Sequence, residues 1–177
     1  MSPIDFDRDV RSVPDWPKKG VDFKDWSPLL AQPGAWGEMI DLLFAQTRDK
    51  TDLVDYVVGA EARGFVLGPG LADRFNAGFV PVRKPGKTPP DFHSHSYDLE
   101  YGQDTIELAH DLVPEKSRVL FHDDLLATGG TALAAAHLIE KIGAELVGFS
   151  FAFEINDLPG RETLESFGAP VICLHSF

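Results

Sequence analysis

Residues 118–131 read Arg118-Val119-Leu120-Phe121-His122-Asp123-Asp124-Leu125-Leu126-Ala127-Thr128-Gly129-Gly130-Thr131. An apolar run closes on two adjacent carboxylates. A loop of small residues follows, and then an Ala-rich helix predicted from Thr131 to Ile142, with Gly143 as the residue that stops it. In a parallel α/β sheet, ligands bind outside the carboxyl ends of the strands. A Thr/Gly loop lets main-chain N–H groups approach an anion closely, because glycine has no side chain in the way. The following helix turns its positive end to the same point. Ala127, Thr128, Gly129, Gly130 and Thr131 are therefore expected to surround a phosphate. Asp123 and Asp124 suit the opposite kind of partner: hydroxyls to accept from, or a cation to neutralise. Phosphate, vicinal hydroxyls and a divalent cation together describe a phosphorylated ribose. A plain strand–turn–helix joint has no use for two acids that repel each other.

Outward from this stretch, short apolar runs alternate with helical periodicity. Strands are predicted at 53–58, 79–83, 118–124, 145–153 and 170–174, and a helix over Leu29–Thr47 carries Trp36, Met39, Ile40, Leu43 and Phe44 at helical spacing. This alternation predicts a mainly parallel α/β sheet flanked by helices. A second strand runs into a small-residue loop, Gly59-Ala-Glu-Ala-Arg-Gly-Phe65, with Arg63 inside it and a helix beginning near Gly64. Arg83, Lys84 and Lys87 form a local basic turn, a candidate anion clamp in an acidic chain. Thr88–Ser96 lacks periodicity and reads as a mobile lid. Its His93 and His95 make a poor metal site, without a further ligand at suitable spacing. Tyr97–Gly102 and Asp104–Ala109 read as a hairpin flap. At the other end, Ile4–Val13 allows a short amphipathic helix. Asp15–Trp26 reads as an ordered loop whose Trp16, Phe23 and Trp26 either pack or form a wall for a flat base. His122 reads as a hydrogen-bonded core histidine.

The chain of 177 residues suits one domain with a full core. A net charge of −12 argues against a general nucleic-acid or membrane surface, though not against an anionic substrate met by local cations. The single cysteine, Cys173, excludes an internal disulfide and fits a reducing compartment. The first residues hold no apolar signal core, and no apolar run approaches the ~18 residues of a membrane span. A cytoplasmic location is the expectation.

Asp123 to Thr131 resembles the phosphoribosyl pyrophosphate (PRPP) motif of type I phosphoribosyltransferases. Leu-Leu-Ala-Thr-Gly-Gly-Thr is similar to the wording in adenine phosphoribosyltransferases. Five further stretches resemble that family in the family's order. Trp16-Pro17 to Trp26 is similar to its base-binding hood, with Pro17, Gly20, Phe23 and Asp25 matching and Trp26 standing where isoleucine is usual. The loop around Arg63 and the turn at Arg83, Lys84 and Lys87 match its pyrophosphate-binding segments. Leu99-Glu100-Tyr101-Gly102 resembles its Leu-Glu-Tyr-Gly signature. Glu154 to Glu162 resembles its closing segment.

The resemblance implies a type I phosphoribosyltransferase fold with a small hood within residues 1–35, and a flexible loop and hairpin flap at 84–108. It implies transfer of phosphoribose from PRPP to adenine, giving AMP and pyrophosphate in purine salvage, with Mg2+ carried by PRPP and a homodimeric assembly. Glu100 would be the catalytic acid/base. Asp123, Asp124 and Ala127–Thr131 would bind the ribose 5-phosphate. Arg63, Arg83, Lys84 and Lys87 would meet pyrophosphate, and Phe23, Lys24 and Leu125 the adenine. A 6-oxopurine phosphoribosyltransferase, which usually meets its base with a lysine, is one alternative, and Lys24 keeps it open. A PRPP-binding regulator is the other.

Overall fold

The computed structural model describes residues 4–51, 53–99 and 102–177. After a single helical turn, α1 (Phe6–Asp9), come two short strands, β1 (Arg11–Pro14) and β2 (Asp22–Asp25), and helices α2 (Ser27–Leu30) and α3 (Ala35–Arg48). Then follow β3 (Tyr56–Ala60), α4 (Gly64–Phe75), β4 (Gly78–Val82), β5 (Phe92–Leu99), β6 (Gly102–Ala109) and β7 (Arg118–Leu126). The last elements are α5 (Gly130–Lys141), β8 (Glu145–Glu154), α6 (Gly160–Glu165) and β9 (Val171–Ser176).

Five strands form the central sheet in the order β4-β3-β7-β8-β9, with every pairing parallel. A parallel sheet must be covered on both faces, because its connections cross over them. The period-two side-chain alternation sends neighbouring residues to opposite cores. Val57 and Leu120 pack with Met39, Ile40 and Leu43 of α3 and Leu67 and Leu71 of α4. Val58 and Phe121 pack with Ala135, Leu138 and Ile139 of α5.

The strand order reverses beside β3. The chain leaves β3 for β4 on one side and later returns to place β7 on the other. At such a switch point the loops after the two central strands splay apart and leave a crevice. The loop after β3 contains Arg63 and the loop after β7 contains residues 127–129, so both predicted anion loops open at this crevice.

Three expectations change. The helix expected over Ile4–Val13 shrinks to the turn Phe6–Asp9, because the next residues pair as β1 with β2, Arg11 opposite Asp25. The segment expected as a loop to Trp26 therefore ends in a strand. The lid expected at Thr88–Ser96 is in its second half the strand β5, paired from Phe92 opposite Ala109 to Leu99 opposite Gly102. The signal was present but written in polar letters: in His93-Ser-His-Ser-Tyr97, His93, His95 and Tyr97 are partly buried while Ser94 and Ser96 are exposed.

Candidate active site

A cavity of about 190 Å³ lies at the carboxyl end of β7, lined by Arg63, Asp123, Leu125, Leu126, Ala127, Thr128, Gly129, Gly130, Thr131, Ala132 and Phe151. Gly129 holds φ of +83° before the first turn of α5, a conformation costly for other residues. The loop is braced from α6: a Cβ on Gly160 would stand 2.2 Å from the Ala127 carbonyl oxygen, so only glycine allows this approach. The N–H groups of the first turn of α5 and the small-residue loop suit this cavity to an anion.

The two aspartates do different things. Asp123 lines the cavity, and its Oδ1 accepts the Asp124 N–H at 2.8 Å. Asp124 is 1% exposed and lies behind the wall, not on it. Its Oδ2 accepts from the Trp26 indole N–H at 2.9 Å and pairs with Arg63 Nε at 3.1 Å. Burial, and next the charge of Asp124, push the Asp123 carboxyl well above the usual carboxylate range. Burial also raises Asp124, against the opposing pull of Arg63 and the Trp26 indole. The Arg63 guanidinium carbon sits 6.0 Å over the Phe23 ring.

The basic turn does not line this cavity. It is anchored at the neighbouring edge of the crevice through Glu61. Lys87 Nζ is 2.7 Å from Glu61 Oε1, Arg83 Nε 3.8 Å from Oε2, and the Lys84 N–H donates to Oε2 at 2.9 Å. Lys84 also pairs with Asp104 on β6. Tyr97 on β5 donates to the same Asp104 at 3.0 Å and shares a 2.9 Å hydrogen bond with Thr131 in the small-residue loop. Glu61, Asp104 and Tyr97 thus join the basic turn to the loop. Tyr97 and Asp104 carry no sequence signal beyond their place in the hairpin, while Glu61 lies inside the Arg63 loop.

A second cavity, of about 440 Å³, is lined by Gly20, Val21, Asp22, Phe23, Lys24, Leu125, Ala127, Ile155, Asp157, Leu158 and Phe177. Leu125 and Ala127 line both cavities and form their common wall. The Lys24 ammonium is committed to Ser12 Oγ and Asp22 Oδ2, each at 2.8 Å, and lies 5.0 Å over the Phe177 ring. Ile155 and Leu158 fall in the stretch from Glu154 to Glu162 that the sequence singled out. Phe177 had no signal, because only the pairing of its backbone with Glu154 and Asn156 brings it here. Glu100 lies outside the described residues. Among the described residues, no group of three or more His, Cys, Asp or Glu side chains is arranged to hold a metal.

The phosphoribosyl transferase domain model matches residues 25–162. A Microcystis aeruginosa protein named adenine phosphoribosyltransferase is 50% identical over 165 residues, 93% of this chain and 95% of that protein. The crystal structure of adenine phosphoribosyltransferase from Thermoanaerobacter pseudethanolicus superposes with a TM-score of 0.91 at 42% identity, covering 97% of this chain and 98% of that one. The Saccharomyces cerevisiae adenine phosphoribosyltransferase superposes with a TM-score of 0.90 at 37% identity, covering 96% of each chain. It was solved with D-2,5-dideoxy-2,5-imino-altritol 1,6-bisphosphate and adenine.

Proposed function

The chain belongs to the phosphoribosyl transferase family, among the adenine phosphoribosyltransferases, and from that premise we propose that it transfers the phosphoribosyl group of PRPP to adenine, releasing AMP and pyrophosphate. One observation carries the reading: an anion seat and an apolar cavity wide enough for a purine share the wall Leu125–Ala127. A base and a phosphorylated sugar bound on either side of one wall would meet at C1′.

In this reading the 5-phosphate takes the Thr128–Thr131 loop, and Asp123 accepts from the ribose hydroxyls. Adenine lies between Phe23 and Leu125. Breaking the C1′–O bond builds positive charge on the ribose and negative charge on pyrophosphate. Arg63, supported by Arg83, Lys84 and Lys87 at the edge of the crevice, stabilises the leaving charge. N9 of the purine forms the bond to C1′ as pyrophosphate departs, and the purine gives up a proton to a base, a role we assign to Glu100.

Mg2+ fits as a passenger of PRPP. This cation is commonly held by substrate phosphates and water with only one or two carboxylates. When bound it would neutralise pyrophosphate charge. Commitment of Lys24 to Asp22 and Ser12 favours adenine over a 6-oxopurine, which would call on a free lysine. We further propose a homodimer acting in the cytoplasm. The single cysteine fits a reducing compartment, and among the described residues no helix is long and apolar enough to cross a membrane.

The test is product formation from PRPP and Mg2+ with adenine, hypoxanthine, guanine or orotate supplied separately. AMP from adenine alone is expected. Turnover of an oxopurine would keep the PRPP half and discard the base assignment, and binding of PRPP without any turnover would favour a regulator. Glu100→Ala should lower kcat by roughly 10²–10⁴-fold with PRPP binding kept. An unchanged kcat would remove Glu100 from the chemistry.

A further inference from the structure

Trp26 sits at the joint between the base-binding strand β2 and helix α2, and is 5% exposed. Its ring packs 5.9 Å from Phe153 in the core shared with Leu29 and Met39. Packing alone would be served by any large apolar residue. The indole, however, spends its one polar group on Asp124, at 2.9 Å. The same carboxylate oxygen meets Arg63 Nε at 3.1 Å. Two N–H donors converging on one oxygen require that oxygen to be an unprotonated acceptor. Arg63 in turn lines the phosphate cavity and stands over Phe23 of the base cavity.

We propose that Trp26 is a positioning residue: its indole N–H fixes the buried Asp124 carboxylate, and Asp124 fixes Arg63 at the junction of the two cavities. The contact links the hood that holds the base to the cation that meets the leaving group. The contact depends on the indole, since an aliphatic side chain in that place could not donate. Beyond the main chain, the groups facing Asp124 are Trp26 from the start of α2, Arg63 from the start of α4 and Asp123 on its own strand. If Asp124 takes up a proton on its other oxygen, Oδ2 can still accept, but the negative charge that holds Arg63 is lost and the grip on Arg63 weakens. Below some acidic pH the enzyme should therefore lose affinity for PRPP while its grip on adenine persists.

The inference rests on the phosphoribosyl-transfer reading, and the test separates the two. In Trp26→Phe, which keeps an aromatic ring and loses the N–H, KM for PRPP should rise roughly tenfold, the size expected for one hydrogen bond to a charged group. The acidic limb of kcat/KM for PRPP should move up by roughly one pH unit, with KM for adenine little changed. Trp26→Ile should do the same. A merely structural role would lower Tm and leave the limb where it is, and that result overturns the proposal. Should both variants fail to fold, the 15N-labelled wild-type protein decides. The Trp26 indole resonance, assigned by replacing Trp16 and Trp36 with phenylalanine, should titrate at the pH midpoint at which PRPP binding, followed directly, is lost. A flat indole response across it overturns the proposal. The indole titration needs no turnover, so an enzyme that makes no AMP from adenine would sink the functional reading without touching this measurement.

Discussion

His122 is fully buried on β7, with Nδ1 3.4 Å from Ser150 Oγ and no hydrogen-bond partner for Nε2 among the described residues. Burial holds its pKa down at about 4, against about 6.5 in an unfolded chain. The folded state therefore keeps the ring neutral, while the unfolded state binds a proton below pH 6.5. Stability from this residue is unaffected above pH 6.5 and falls as pH drops towards 4, by roughly 2–3 kcal/mol at pH 4.5. Urea unfolding at pH 7.5 and 4.5 should show this loss in wild type and a smaller one in His122→Gln. Equal losses in the two proteins would remove His122 as a source of acid sensitivity. Its reading as a core histidine was available from the strand pattern alone, since an inward position on a central strand leaves no room for solvent. The unequal roles of Asp123 and Asp124 were not available, because adjacent acids read alike until a tertiary partner claims one of them.

The hairpin β5–β6 lies against α5, with one histidine pair inside the hairpin and another between it and the helix. His93 stacks on His110 with ring centroids 4.5 Å apart, and His95 lies 5.2 Å from His137 of α5. His137 also faces Glu140 at 3.7 Å and Phe167 at 5.8 Å. Burial, then the paired histidines and Lys141, push His93 and His95 below the usual histidine value. Depressed folded values mean that the hairpin's contacts are at full strength above pH 6.5 and weaken as pH falls through the histidine range. Amide hydrogen exchange in β5, corrected for intrinsic rates, should accelerate between pH 7.5 and 5.5 more than in β7. His95→Gln should reduce that acceleration, and exchange insensitive to pH would show that the histidines do not hold the hairpin. The hairpin was legible as a flap from Tyr97 onward. Its first half was not, because strand alternation is normally read from aliphatic residues, and here histidine occupies the inner positions.

Across the whole molecule, the two ends of the sheet have separate tasks. At the amino end, Asp55 on the approach to β3 takes a bidentate ion pair from Arg118, at 2.9 and 2.6 Å, and a third bond from the Arg118 N–H at 2.8 Å. The Arg118 side chain, with its backbone N–H next, holds the Asp55 carboxyl down at about 2. All the cavity residues lie at the carboxyl end. Arg118→Met should therefore lower Tm by a few degrees and leave KM for PRPP and adenine unchanged. A shifted KM would mean that the sheet transmits strain between its ends. The overall charge of −12 is no obstacle to an anionic substrate, because Arg63 and the basic turn gather cations around one crevice.

The sequence by itself determined the parallel α/β class, the small-residue loop at 127–131, the second loop around Arg63 and the helices that follow them. These are local properties: apolar period, small residues where backbone must approach an anion, and a helix start just beyond. Only the tertiary structure decided that Asp124 retreats behind the wall under Trp26, that Lys24 is tied to Asp22, and that Phe177 closes the second cavity. Each depends on residues far apart in the chain, Trp26 and Asp124 by 98 positions, meeting at one edge of the sheet. Strand order sets such meetings. It follows from how crossovers pack on both faces of the sheet, which no local pattern records.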